Sequence, residues 1–251
     1  HAEGAYIHDI FMYIFSYKYH DMWRLRGNMN VHGNLYPQHG LVPIMQMMDI
    51  NCGDRMEYLV SVSSDDFMTG NPEVVRDLSA EPEIWDIFKG NRYRGNMNNT
   101  VIRTHRGRTI LMQHDTSSPR PNVRFRLLSG TKGVYEQGAL PPGRIATSHE
   151  GWLGEDEFSA LVDKYLPPMT KKFNELRSKS RKIDMSEGSY YRTNPIEWRL
   201  IDCLRNGLPM DMDVYEAVAS SSVIPLSIWS VANGSHPVDV PDFTSGNWNS
   251  N

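Results

Sequence analysis

Residues 1–9 alternate in polarity with a period of two, which predicts a strand with Tyr6 and His8 on one face and Ala5 and Ile7 on the other. That face offers two polar tips to a cleft, although a Tyr-His pair on a solvated sheet surface fits the pattern slightly better. Residues 10–32 are aromatic and irregular and end on Trp23 to Gly27. Leu41 to Asp49, with Met45, Met47 and Met48, predicts a short apolar helix of the core. Alternation returns over Tyr58 to Ser64 as a strand and stops in a loop through Asn71 and Pro72. Glu81, Pro82 and Glu83 place a proline in the first turn of a short helix over 81–88. Asn99 to His105 and Thr109 to Asp115 are two strand signals around Arg106, Gly107 and Arg108, a turn of hairpin length. A rigid loop, Ser117 to Pro121, leads to a third strand of this meander, Val123 to Ser129. Gly130 and Gly133 flank the turn into another strand, starting at Val134 to Gln137.

The period then changes. Residues 155–182 form a long amphipathic helical region interrupted by Pro167 and Pro168. Ile196 to Asn206 is a second helix, closed by Gly207 and Pro209, with a core stripe of Trp198, Ile201, Cys203 and Leu204. Asp213 to Ser222 is a third, ending before Pro225, with Asp211 and Asp213 placed as caps. The tail from Asn233 to Asn251 is polar and loop-like. Strands first and helices later predict an α+β fold with a large, mostly antiparallel open sheet.

Charge and composition narrow the function. The 251 residues are 39% hydrophobic and carry a net charge of −4, which argues against a nucleic-acid-binding face. The densest basic stretch, Lys171 to Lys182, includes Glu175 and is explained by a solvated helix face. No apolar run approaches the ~18 residues that span a bilayer, so neither a membrane nor a signal peptide is expected. The chain starts within a strand and without Met, and so reads as cut at a structural boundary. Cys52 and Cys203 are expected as two free, partly buried thiols. No metal is expected. His114 and Asp115 point to opposite faces of one strand, and His149 and Glu150 lack a third ligand at useful spacing. Ser220 to Ser222 has no nucleophile-elbow context. There is no Gly-x-Gly anywhere, hence no dinucleotide-binding fingerprint.

Chemistry concentrates in residues 28–40. Tyr36 and His39, three apart at a helix start, can converge on one ligand. Pro37 fixes a backbone torsion between them, and Gly33 and Gly40 permit close approach. A phenol and an imidazole beside Asn34 suit sugar hydroxyls and proton transfer. A capped helix with a buried histidine has the same spacing.

Six ordered blocks decide between these readings: HAEGAYIHD, GNLYPQHG, INCGDRMEYLVSVSS, NMNNTVIRTHRGRTILMQHDTSSPRP, EWRLIDCLRNGLPMDMDVY and PLSIWSVANGSHPVDVPDFT. Together they resemble glycoside hydrolase family 109, the NAD-dependent α-N-acetylgalactosaminidase-like branch of the Gfo/Idh/MocA oxidoreductases, from residue 1 to about residue 248. The resemblance implies that 1–251 is the C-terminal substrate-binding and catalytic domain, an open sheet with helices packed on one face. It also implies that an N-terminal Rossmann domain holding NAD is absent from this chain. It implies hydride removal at C3 of a glycoside, elimination, water addition and re-reduction.

By motif matching, Tyr6, Tyr36 and His39 are the implied catalytic residues, and His8, Arg24, Asn34 and Arg120 the implied substrate contacts. Gln38, Val42 and Asn122 depart from the family's usual Thr, Gly and aromatic, and the last puts N-acetylgalactosamine specificity in doubt. A sugar dehydrogenase on the same scaffold is the alternative, or, for the chain by itself, a non-catalytic sugar-binding or dimerisation domain. The expected partners are a glycoside and a second copy of the chain, through the open sheet face. The family implies a periplasmic or extracytoplasmic location, with a cytoplasmic one also compatible.

Overall fold

A computed structural model of the chain describes residues 1–15, 22–71, 90–138, 143–180 and 195–250. The helix expected over 81–88 lies outside them. The chain divides into two compact units, His1–Gly151 with Val214–Asn251, and Trp152–Asp213.

The first unit is built on eight strands: β1 (Ala2–Ile7), β2 (Met56–Ser63), β3 (Asn98–Thr104), β4 (Thr109–Asp115), β5 (Arg126–Gly130), β6 (Gly133–Gln137), β7 (Arg144–Ala146) and β8 (Val238–Asp239). They form one sheet in the order β7-β6-β5-β1-β4-β3-β2-β8. Every neighbouring pair is antiparallel except β1 and β4, which run parallel. The α+β expectation with a mostly antiparallel open sheet is correct. The third strand of the meander is regular only from Arg126, although Ile7 and Val123 still exchange backbone hydrogen bonds ahead of it. The two- and three-residue strands β8 and β7 are too short to carry a periodic signal.

Helices α3 (Gln38–Met47) and α7 (Val214–Ala232) cover one face of the sheet. Leu41, Ile44 and Met45 from α3 and Ala219 and Val223 from α7 share a core with Leu59, Ile102, Ile110 and Met112. Two further short helices, α1 (Phe11–Ile14) and α2 (Trp23–Gly27), arise in the stretch expected to be irregular. They bury Phe11, Ile14 and Leu25 in a separate small cluster with Tyr93. Asp54 is fully buried and accepts hydrogen bonds from the Arg55 and Arg106 backbones and from Arg108 Nε, fastening the β3–β4 turn.

Two sequence expectations fail at α7. The helix runs through Pro225 instead of stopping before it. A proline inside a helix costs about 3 kcal/mol in lost bonding and clash; burial of Ala219, Ser220, Val223, Ser227 and Ser230 along the helix outweighs it. By length and composition α7 is also apolar enough to cross a membrane, with a mean hydropathy of 1.2, although no such segment was expected. Its core-facing side packs on the sheet.

The second unit contains α4 (Glu155–Tyr165), α5 (Pro168–Ser180) and α6 (Pro195–Asn206), with the break at Pro167–Pro168 as expected. Phe173 packs on Trp198 with ring centroids 5.4 Å apart. The core stripe expected on α6 does not hold. Cys203 is buried, but Ile201 and Leu204 are 53% and 69% exposed. Asp211 pairs with Arg199 at 2.8 Å. Of the two free thiols, Cys52 is exposed.

Polarity grades along the helix-covered face. The row Ala2–Ile110–Ile102–Leu59 is apolar, Gly4–Met112–Thr100–Ser61 is mixed, and Tyr6–His114–Asn98–Ser63 is polar. The polar row lies at the C-terminal ends of the two parallel strands, the edge at which open α/β sheets bind ligands.

Gly4 and Gly40 set how closely α3 approaches β1. A Cβ on Gly40 would stand 2.9 Å from the Ala5 nitrogen and 3.0 Å from the Gly4 carbonyl carbon. Both are backbone atoms that cannot swing aside. Gly40→Ala is therefore expected to lower stability by about 1–3 kcal/mol through overpacking, read as a fall in the denaturation midpoint.

Candidate active site

The segment carrying Tyr36 and His39 is held at three points. At its start, Asn28 and Asn30 bond to the backbone of Arg94 and Arg92, and His32 Nδ1 accepts the Gly95 N–H at 3.2 Å. In the middle, Gly33 lies against Ile228 with no room for a Cβ, and the Asn34 N–H donates to Ser227 Oγ at 2.9 Å. At its end, α3 begins at Gln38, earlier than the expected Leu41, so His39 sits in the first turn and rides on the Gly4–Gly40 contact.

This anchoring brings three rings together. The Tyr6 and His39 centroids are 4.8 Å apart with planes 15° from parallel. Tyr36 lies 4.9 Å from Tyr6 and 5.2 Å from His39. The Tyr6 hydroxyl is 3.2 Å from His8 Nδ1, and the phenol donates when that nitrogen carries no proton. Tyr6 is buried, while His8, Tyr36 and His39 are half-buried. Among the described residues the His39 imidazole nitrogens and the Tyr36 hydroxyl have no hydrogen-bond partner, so these atoms face outward for a ligand.

The electrostatics favour neutral bases. Burial, then Arg124 and Arg24, hold the His8 pKa down against Asp9. Burial, then Arg124, Arg126 and His8, do the same for His39. Burial, helped by Tyr36, raises the Tyr6 pKa despite Arg124 and Arg24. Near neutral pH the site therefore presents two uncharged imidazoles and a protonated phenol. Among the described residues no group of three or more His, Cys, Asp or Glu side chains is placed to hold a metal ion.

Of the residues singled out from the sequence, Tyr6, His8, Tyr36 and His39 converge. Arg24 lies close enough for its charge to act on Tyr6 and His8, and its guanidinium stacks 4.3 Å from the Trp23 ring. Asn34 does not face a ligand. It is fully buried, and its Oδ1 accepts the Tyr36 N–H at 3.3 Å, so it shapes the loop. Arg120 is exposed, and no described contact joins it to the rings.

Two residues were missed. Arg124 has its guanidinium carbon 5.8 Å from the Tyr6 centroid. His114 is buried in register beside Tyr6, with centroids 6.0 Å apart. Alternation along β4 already placed His114 on the face of Ile110 and Met112; the pairing of β4 with β1 was the missing step. Asp115 serves the turn instead, accepting the Ser117 and Ser118 N–H groups.

The family model of the glycosyl hydrolase 109 C-terminal domain matches residues 1–250. The chain belongs to this family. It is 40% identical to glycosyl hydrolase family 109 protein 2 of Phocaeicola vulgatus, over 99% of the chain and 59% of that relative. It is 37% identical to an α-N-acetylgalactosaminidase of Bacteroides fragilis, over 99% of the chain and 57% of that relative. The chain thus spans somewhat over half of the curated relatives it matches. Among solved structures, an oxidoreductase domain protein from Kribbella flavida aligns at a TM-score of 0.57 and 13% identity, covering 96% of the chain and 59% of that protein. Levoglucosan dehydrogenase in complex with NADH and L-sorbose aligns at 0.56 and 15%, covering 96% and 58%. These likenesses establish the oxidoreductase-type fold of this family 109 domain.

His114 gives a stability test. Burial, with Arg94 nearby, holds its pKa well below the ordinary value. An unfolded chain binds the proton that the folded one refuses, so stability is full above about pH 6.5 and is lost on acidification below it. One such site contributes a slope of up to about 1.4 kcal/mol per pH unit. Denaturation at pH 7 and pH 5 should show this loss, and His114→Gln should flatten it.

Proposed function

We propose that this chain is the substrate-binding and catalytic domain of an NAD-dependent glycosidase acting on α-N-acetylgalactosaminides or related glycosides. The observation that carries the reading is the convergence of Tyr6, Tyr36 and His39 with neutral imidazoles and outward-facing polar atoms. Family membership supports it, as does the name of the relative from Bacteroides fragilis. Most glycosidases flank the scissile bond with two carboxylates. Among the described residues, Asp9 is the one carboxylate whose charge is felt in this cluster, through His8. Neutral imidazoles are too weak to expel an aglycone unaided, and they suit removal of a proton from a carbon already made acidic.

The donor set fits a dinucleotide partner, because hydride loss from an alcohol carbon requires a base for the hydroxyl proton. The chain has no phosphate-cradling fingerprint, so the grip on the nucleotide would come from a Rossmann domain in the full-length protein. When bound, NAD supplies the acceptor and donor of hydride at the sugar's C3. His39, with Tyr36, takes the C3 hydroxyl proton. With C3 at the ketone level the C2 hydrogen is acidic, and Tyr6 serves its removal. A phenol of raised pKa is a poor base alone; passing its own proton to His8 makes it competent. Arg24 grips substrate hydroxyls or the acyl group.

The sheet face opposite α3 and α7 exposes Val62 and Val101, 53% and 45% accessible. A second copy of the chain is its proposed cover, which solution light scattering of the full-length protein tests.

Aryl α-glycoside supplied to the full-length enzyme without added NAD should release aglycone with no net NADH. Net NADH without aglycone would instead identify a sugar dehydrogenase. His39→Ala should nearly abolish turnover and leave NAD binding intact; retained turnover removes His39 from the mechanism.

A further inference from the structure

Tyr6 has a cross-strand neighbour on either side. On β4 it is the buried His114. On the other side, the register that pairs Gly4 with Arg126 and Ile7 with Val123 brings Arg124 opposite Tyr6. The backbone of the intervening residues is bonded throughout, Ala5 N–H to the Phe125 carbonyl at 2.9 Å and Ile7 N–H to Val123 at 3.0 Å. The base of Arg124 is therefore fixed by the sheet, while its side chain is exposed at the rim of the ring cluster. Its charge acts on all three of Tyr6, His8 and His39. Among the described residues no carboxylate is paired with it. Arg24 is half-buried and stacked on Trp23, and Arg126 is half-buried and bonded to Gln137 and the His39 carbonyl.

An exposed guanidinium, unanswered by an acid and aimed over neutral bases, creates a positive potential where a substrate would sit. We propose that Arg124 is a substrate-contacting residue that receives the negative charge developing on the sugar oxygen next to the carbon being deprotonated. This rests on the glycosidase reading above. In that step the C2–H bond breaks, its proton passes to the Tyr6–His8 pair, and its electron pair spreads onto the C3 carbonyl oxygen as an enolate. The enolate then expels the C1 substituent, whose oxygen leaves with the bonding pair. The charge on the C3 oxygen exists only while this happens. A donor that meets it lowers the barrier without tightening ground-state binding.

The test uses the full-length enzyme and two substrates, an aryl α-glycoside and the same glycoside already oxidised to the 3-ketone. The second isolates elimination from hydride transfer. Arg124→Gln should lower kcat for aglycone release from the 3-keto substrate about 10²–10³-fold, the scale for loss of one charge-stabilising donor. KM should move less than about threefold, with the melting point and NAD affinity unchanged. Arg124→Lys should recover at least about a tenth of the lost rate.

The acid limb of the pH–rate profile should also shift to higher pH in Arg124→Gln, because a cation that opposes protonation of both imidazoles is gone. The remaining charged and titratable groups facing them are Arg24, Asp9 and Tyr6 for His8, and Arg126, His8 itself, Tyr6 and Tyr36 for His39.

An Arg124→Gln enzyme that keeps its elimination rate within about threefold overturns the proposal. So does a slowed enzyme whose acid limb stays in place and which Lys does not rescue, since that pattern marks a structural prop. If wild-type enzyme oxidises the glycoside but never cleaves the 3-keto substrate, the glycosidase reading fails and Arg124's role falls with it.

Discussion

Everything at the site depends on how closely α3 can lie on β1. Gly40 on the helix and Gly4 on the strand meet backbone to backbone, a separation no side chain would allow. His39 precedes Gly40 and Tyr6 follows Gly4 by two, so the same contact that seats the helix also sets the ring spacing of 4.8 Å. Packing and chemistry are therefore coupled. The helix cannot be loosened without separating the two rings. The loop before it has no freedom to compensate, since Gly33 and Asn34 fix it to α7 and its start is bonded to residues 92–95.

The sheet supplies the second constraint. Its helix-covered face is apolar where α3 and α7 bury it and becomes polar at one edge, within three rows. Burying polar groups costs stability unless they are bonded. Asn98 meets this requirement, donating to Ser61, Val62 and Ser63 and accepting from Thr100. Arg94, buried and with its pKa pulled down by burial to about 10, is bonded to Asn28 and Thr116. His114 does not, since its Nδ1, like Asn34 Nδ2 and Arg126 Nε, is buried with no hydrogen-bond partner among the described residues. Its neutral state is what makes that position tolerable.

Local pattern made much of this legible. Period-two alternation found β1 to β6 to within a few residues, and Tyr6, His8, Tyr36 and His39 were recognised from motif and spacing. What stayed hidden was set by tertiary pairing. Nothing in the chain near β1 says that it runs parallel to β4, and without that pairing His114 is one more strand residue. Arg120 sits in the more conspicuous motif, yet the register of the strand entering β5 carries Arg124 to Tyr6. Asn34 has the side chain of a sugar ligand but is spent on a backbone N–H. Pro225 is a local stop signal overridden by the burial of α7 on the sheet. In each case a short-range rule lost to a long-range contact, the kind of information a single sequence holds least directly.

The pattern of charge around the rings ties the fold to its chemistry. Half-burial alone would lower the imidazole pKa values, but it would also favour pairing with a carboxylate, which pulls them back up. Here the larger charges are arginines, at positions 24, 124 and 126, so burial and these cations act in the same direction on His8 and His39, with Asp9 opposing them at His8. The same arginines oppose burial at Tyr6, which limits how far its phenol rises. One set of cations thus lowers the proton affinity of the phenol and of both imidazoles together. A phenol that releases its proton more readily is the better relay, bases of low proton affinity stay uncharged near neutral pH, and a sheet edge that gathers arginines around a buried phenol is one physical route to both.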